Sequence, residues 1–392
     1  MQMPDVHSLQ SRVEEARSWR HEFHRHPELL YDVHRTASRV AALLRGFGVD
    51  DCVTGLGRTG VVGVIRGRRG PGPVVALRAE MDALPIHEVS GLPYASLRDG
   101  VMHACGHDGH SAILLAASKY FSDTRDFHGT VVVVFQPAEE GGAGGKAMIE
   151  DGLLDRFGIE QVYGMHNLPG LPLGSFATRS GAMMAAVDEF DLVVHGKGGH
   201  AAWPHLTCDS LVAAAEIVIS LQTAVARRID PLDVAVLSIT GISAGTAYNV
   251  IAPTARLCGT VRTLDDAVRN TMETSIRRIA GSVADAHGAT VEIDYRRGYP
   301  ATVTDPARTE TVILAATAVA GAPNVESAMR PLMGGEDFAF MLGARAGGYV
   351  FVGNGQSSGL HTDTYDFSDD AIPYGIRYWI GLVMLTNGPA PG

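Results

Sequence analysis

The residues best suited to bind a metal are split by a long segment with its own folding pattern, and the chain must fold so as to reunite them. Cys105 and His107 stand in Met102-His103-Ala104-Cys105-Gly106-His107-Asp108-Gly109-His110. Glu139 and Glu140 stand in Phe135-Gln136-Pro137-Ala138-Glu139-Glu140-Gly141-Gly142, and His166 in Gly164-Met165-His166-Asn167. His361, in Gly359-Leu360-His361-Thr362-Asp363, comes only after the intervening segment. A thiolate, three imidazoles and the Glu140 carboxylate suit zinc, manganese, cobalt or nickel. The neighbouring Glu139 is the spare carboxylate that a metal-assisted hydrolase needs as its general base. If the five ligands converge, the chain beyond residue 300 returns to the domain it left.

The patterning on either side agrees. Helical periodicity over residues 7–25 and 35–47 is broken by Pro27 and ended by Gly46 and Gly48. Short β-branched runs follow at 61–65, 74–77 and 130–135, with an apolar helix at 112–121 between the last two. Strands alternating with helices imply a mixed, mainly parallel sheet flanked by helices, an α/β fold that places ligands beyond the carboxyl ends of strands. The Cys105/His107 and Glu139/Glu140 loops each lie between a strand and a following helix. In an extended loop, Cys105 and His107 would share one side of the backbone.

The intervening segment reads as strand 187–195, helix 209–228, strands 234–240 and 255–263, helix 265–287 and strand 290–295. That β-α-β-β-α-β order is the ferredoxin-like unit. The expected division is therefore a discontinuous catalytic domain, 1–184 with 298–392, and an inserted α+β module, 185–297. At 392 residues the chain exceeds what a single core usually serves.

A net charge of −11 without a dense basic run argues against nucleic acid or an anionic membrane as the main partner. The N-terminus shows no secretory pattern, and no uninterrupted apolar stretch is long enough to span a bilayer. Four scattered cysteines form no disulfide framework, so a cytoplasmic location is expected. Cys52, Cys208 and Cys258 are read as small hydrophobes or bystanders. His21, His24 and His26 are expected at the surface or a helix end, not in a second metal site.

Four strings carry a resemblance over essentially the whole chain: Arg78-Ala79-Glu80-Met81-Asp82-Ala83-Leu84-Pro85, His103-Ala104-Cys105-Gly106-His107-Asp108, Gln136-Pro137-Ala138-Glu139-Glu140 and Gly334-Gly335-Glu336-Asp337-Phe338. In this order they resemble the aminoacylase/carboxypeptidase metallopeptidase family. The closest branch is that of hippurate hydrolases, N-acyl-amino-acid amidohydrolases and auxin-conjugate hydrolases. The resemblance implies two divalent ions per chain, held by Cys105, His107, Glu140, His166 and His361. Manganese or zinc leads, and cobalt or nickel follows. It implies Glu139 as general base on a metal-bound water, with Asp82 orienting a ligand. It also implies His200, Asn249 and Arg262 as substrate or oxyanion contacts, and the inserted module as a dimerisation or lid domain. Glu80 stands where the branch usually has aspartate, leaving its contact with the metal site open. His205 is expected only to support its loop.

The activity expected is hydrolysis of the linear amide of an N-acyl amino acid by a homodimer or larger homo-oligomer. The alternatives are a dipeptidase or carboxypeptidase with the same chemistry, a non-catalytic metal-binding relative, and a nucleophilic-cysteine hydrolase built on Cys105. The last leaves the histidines and paired glutamates without a role.

Overall fold

A computed structural model of the chain describes residues 7–388. It divides into two compact units. The first comprises the residues up to Gly181, Val303–Arg330 and those from Phe340 onward. The second comprises Ala182–Thr302 with Pro331–Ala339.

The first unit is built on an eight-stranded mixed sheet. Its centre is four mutually parallel strands, in spatial order Thr130–Gln136, Val74–Glu80, Gln161–Leu168 and Ala346–Gly353. Gly60–Arg66 adds to Thr130–Gln136 antiparallel, and Asp51–Leu56 pairs with it at that edge. The central strands are almost wholly buried, which is why they read as continuous apolar runs and not as alternating ones. Helices Gln10–Arg25, His34–Gly46, His107–Thr124, Pro306–Ala320 and Ile372–Thr386 contribute to one apolar core, with Trp19, Leu44, Leu114, Val133, Val312 and Trp379 among its members.

The helix Gln10–Arg25 buries Val13, Ala16, Trp19, Arg20, Phe23 and His24, a single stripe at helical spacing. Two of those six are charged or titratable. The sequence expectation for His24 is therefore corrected: it is fully buried, because Asp108 and Glu88 supply carboxylates to its two ring nitrogens. His21 is partly buried against Asp369, and His26 is the C-cap residue.

The second unit carries the four-stranded antiparallel sheet in spatial order Ala235–Ala244, Thr254–Thr263, Ala186–His195 and Thr290–Arg297. The helices Ser210–Arg228 and Asp266–Ala286 pack on it around Phe190, Leu192, Ile217, Leu221, Met272 and Ile276. Asp209 and Asp265 cap the two helices through side-chain bonds to the following N–H groups. By length and composition alone Ser210–Arg228 is apolar enough to cross a membrane, but its buried stripe is part of this core. The stretch Pro331–Ala339 belongs to this unit through main-chain bonds. The Leu332 N–H donates to Met183 O at 2.9 Å, and the Ala185 N–H donates to Leu332 O at 3.1 Å. A short ribbon unread in the sequence pairs Gly199–His200 with Val250–Ile251.

Candidate active site

All five ligand candidates and Glu139 lie in the first unit, at the carboxyl ends of the four parallel strands. The helix after the Cys/His motif begins earlier than its apolar run suggests. His107 is its first residue and Gly106 precedes it in the left-handed region at φ 91°. The turn is therefore tighter than the extended loop read from the sequence. Only glycine fits there, since a Cβ on Gly106 would lie 2.3 Å from Asn167 Oδ1 and 2.7 Å from the Tyr365 hydroxyl oxygen. His166 lies within the strand Gln161–Leu168 and not beyond its end.

Ligand atoms converge in overlapping groups. Cys105, His107 and His166 bring donor atoms within 4.8 Å of one another, as do Cys105, Glu140 and His361, and His107, Glu139 and Glu140. Cys105 Sγ lies 3.4 Å from His166 Nε2, and Glu140 Oε1 lies 3.3 Å from His361 Nε2. The two adjacent glutamates thus both reach toward His107, although neighbours in a non-helical segment usually diverge.

Local hydrogen bonds fix which atoms face the centre. His107 Nδ1 donates to Asp82 O at 2.8 Å, leaving Nε2 for a ligand. His166 Nδ1 donates to Asn167 O at 2.7 Å with the same consequence. The Asp82 carboxylate accepts the Glu139 and Glu140 N–H groups, each at 3.0 Å, and lies 3.5 Å from His107 Nδ1. One buried side chain thereby orients the glutamate loop and a histidine together.

The electrostatics fit a cation. Among the described residues, His107 Nε2 is buried without a hydrogen-bond partner. Burial pulls the His107 pKa down, but Asp82, Glu80 and Glu140 outweigh it and push it up to about 10. Burial, Glu140 and Glu139 together hold the Cys105 thiol well above its ordinary value. His166 is pushed down by burial and by His110. His361 is raised by its contact with Glu140. A thiol kept protonated by burial and nearby carboxylates, and a histidine kept protonated by carboxylates, are the groups a divalent ion would deprotonate on binding. The donor set suits divalent cations, which Cys105, His107, Glu140, His166 and His361 would hold.

Glu80 is already engaged. One carboxylate oxygen takes the Arg78 guanidinium and the other lies 2.9 Å from His110 Nδ1. Burial opposes its ionisation, yet Arg78 and His110 hold its pKa well below the usual range. The Asn167 N–H donates to His110 Nε2 at 3.0 Å, and Asn167 Nδ2 donates to the Tyr365 hydroxyl at 2.6 Å. This buried ladder escaped the sequence reading. Its only sign was the third histidine of the motif, His110, one helical turn after His107.

His200, Asn249 and Arg262 lie in the second unit. His200 lies on the ribbon and Asn249 in the turn before its second strand; both are exposed, and the Asn249 carbonyl accepts the Ala201 N–H. His200 Nδ1 accepts the Ala202 N–H at 3.1 Å, and its ring lies 4.7 Å from that of Trp203. Arg262 sits on the separate four-stranded sheet, half-buried, with its pKa lowered by burial against the pull of Glu189 and Asp188. His205 is exposed in the short 3-10 turn Pro204–Leu206.

Comparison with known proteins gives concordant matches. The sequence profile of peptidase family M20/M25/M40 matches residues 76–385. The hippurate hydrolase of Campylobacter jejuni is 38% identical over 382 residues, covering 97% of this chain and 98% of that protein. An N-acyl-L-amino acid amidohydrolase of Geobacillus stearothermophilus is 43% identical over 284 residues, covering 72% and 76%. The crystal structure of the Bacillus subtilis YXEP protein, described as a dinuclear metal binding peptidase of the M20 family, superimposes with a TM-score of 0.84. It is 32% identical and covers 95% of this chain and 98% of that one.

Proposed function

We propose that this chain, which belongs to peptidase family M20/M25/M40, hydrolyses the amide bond of N-acyl amino acids to a carboxylic acid and a free amino acid. It is an amidohydrolase. The observation that carries the reading is the convergence of Cys105, His107, Glu140, His166 and His361 beside a second, buried carboxylate, Glu139. Two divalent ions, manganese or zinc before cobalt or nickel, would supply Lewis-acid polarisation of the scissile carbonyl.

The chain's own residues do the rest. Glu139 takes a proton from the attacking water and passes it to the leaving amine. Asp82 keeps Glu139 in place through its main-chain N–H and keeps the His107 tautomer that presents Nε2. His200 and Asn249 donate to the oxyanion, and Arg262 pairs with the substrate carboxylate. The inserted module acts as dimerisation and lid domain, so His200 can serve its own chain or a partner's in the cytoplasmic homodimer.

The test is a hydrolysis panel with metal-loaded protein: N-benzoyl and N-acetyl amino acids against free dipeptides. Faster turnover of the N-acyl amino acids is expected. A preference for dipeptides would replace this reading with a dipeptidase using the same centre.

A further inference from the structure

The helix Gln10–Arg25 carries a buried arginine that the scheme above does not use. Arg20 is 0% exposed and shares its guanidinium among three carboxylates. Nε donates to Asp108 Oδ2 at 3.0 Å, one terminal nitrogen donates to Asp366 Oδ1, and the other donates to Asp369 Oδ1 at 3.3 Å. The Tyr94 ring centroid lies 4.5 Å from its Cζ, and the Tyr94 hydroxyl also donates to Asp366.

Those carboxylates come from two segments that carry ligand candidates. Asp108 directly follows His107, and Asp366 and Asp369 come just after His361. The two segments differ in how they are built. His107 opens a regular, buried helix. The chain between Gly353 and Asp369 forms only turns and bends, and within it His361 is non-helical at φ 61° with its side chain 52% exposed. Such a loop holds its place through tethers. The His361 N–H donates to Ala104 O at 2.8 Å, Asn354 Nδ2 donates to Asp366 O at 3.0 Å, and Arg20 ties the Asp366 and Asp369 carboxylates to Asp108. A planar guanidinium fork fixes the spacing of several carboxylates at once, which an ammonium cannot do.

We infer that Arg20 is a positioning residue for the metal centre: it sets the distance between the Cys105/His107 turn and the His361 loop, and with it the affinity for the ion that His361 holds. This inference rests on the two-ion reading given above.

The experiment is a titration of chelator-treated, full-length protein with Co2+, followed by absorbance and by competition with a chelating dye. The native chain is expected to bind in two resolvable steps. Arg20→Met and Asp366→Asn are each expected to weaken one step by about 10–100-fold and leave the other unchanged, the usual effect of losing a partner behind a ligand. His361→Ala should weaken the same step, and adding Arg20→Met to it should cost little more, because both act through one ligand. Arg20→Lys should recover only part of the loss. Asp366 is partly exposed, so Asp366→Asn carries the test if Arg20→Met does not fold. Equal weakening of both steps, no weakening, or full additivity with His361→Ala would overturn the assignment. Failure of the native chain to take up Co2+ would overturn the metal-centre reading itself, and Arg20's role with it.

Discussion

Each unit buries an arginine against a carboxylate, and the two pairs are built to different ends. In the second unit, Arg269 Nε lies 3.0 Å from both oxygens of Asp188, which also accepts from Tyr295 and the Gly298 N–H. That cluster joins the helix Asp266–Ala286 to the strands Ala186–His195 and Thr290–Arg297, and among the described residues none of its members belongs to a candidate metal-ligand group. In the first unit, the Arg20 cluster ends on Asp108, next to His107, and on Asp366 and Asp369, in the segment that follows His361. One ion pair closes a fold, and the other ties together two segments that carry ligand candidates. Buried charge alone therefore does not mark an active site. What distinguishes the candidate site is the convergence of potential ligand atoms at the carboxyl ends of parallel strands.

If the first unit holds the chemistry, the largest effect should come from Glu139. Glu139→Gln is expected to lower turnover by about 10²–10⁴-fold with metal content unchanged, as kinetics and elemental analysis would show. Near-normal turnover at full loading would remove Glu139 as the base. The second unit offers the sharpest challenge to the contrast. His200→Ala and Asn249→Ala are each expected to lower turnover by roughly 10²–10³-fold, the span for losing an oxyanion donor. Unchanged rates would remove His200 and Asn249 from the reaction. Mixing inactive Glu139→Gln and His200→Ala chains under subunit exchange would show, by regained activity, whether the histidine serves a partner.

A smaller effect separates the two arginines. Arg269→Met is expected to lower thermal stability by leaving Asp188 buried and unpaired, with metal affinity unchanged. A loss of metal binding in that variant would erase the distinction drawn between the clusters. The smallest effect concerns pH. Burial disfavours charged His24, but hydrogen bonds to Asp108 and Glu88 push its pKa up to about 9 from 6.5. A raised folded-state pKa stabilises fully below 6.5, and that contribution fades as pH rises through about 9. The stability advantage of the native chain over His24→Asn should therefore shrink across that window in thermal unfolding. A constant difference would mean that His24 is not charged in the fold.

Much of this architecture was legible because apolar periodicity records which face is buried. The ferredoxin-like order came from alternating strands such as Ala186–His195, whose buried and exposed residues follow the pleat. Most of the ligand candidates were legible as residue types in glycine-rich turns, whereas His166 lies inside a strand. Periodicity does not record what meets a buried face, so Arg20 drew no reading and His24 was expected at the surface or a helix end, although both lie on the same stripe as Trp19 and Phe23. Asn167 and Tyr365 escaped for a related reason: their partners, His110 and each other, are distant in sequence. The ribbon Gly199–His200 with Val250–Ile251 is too short to leave a pattern.

Amide hydrolysis driven by a divalent metal centre in the first unit can be tested by one measurement. Full-length protein would be stripped with chelator and assayed on N-benzoylglycine while metal is returned in measured steps, with bound metal quantified at each. Negligible activity is expected in the stripped protein, with recovery that tracks occupancy up to two ions per chain. Full activity without bound metal would contradict metal-driven hydrolysis.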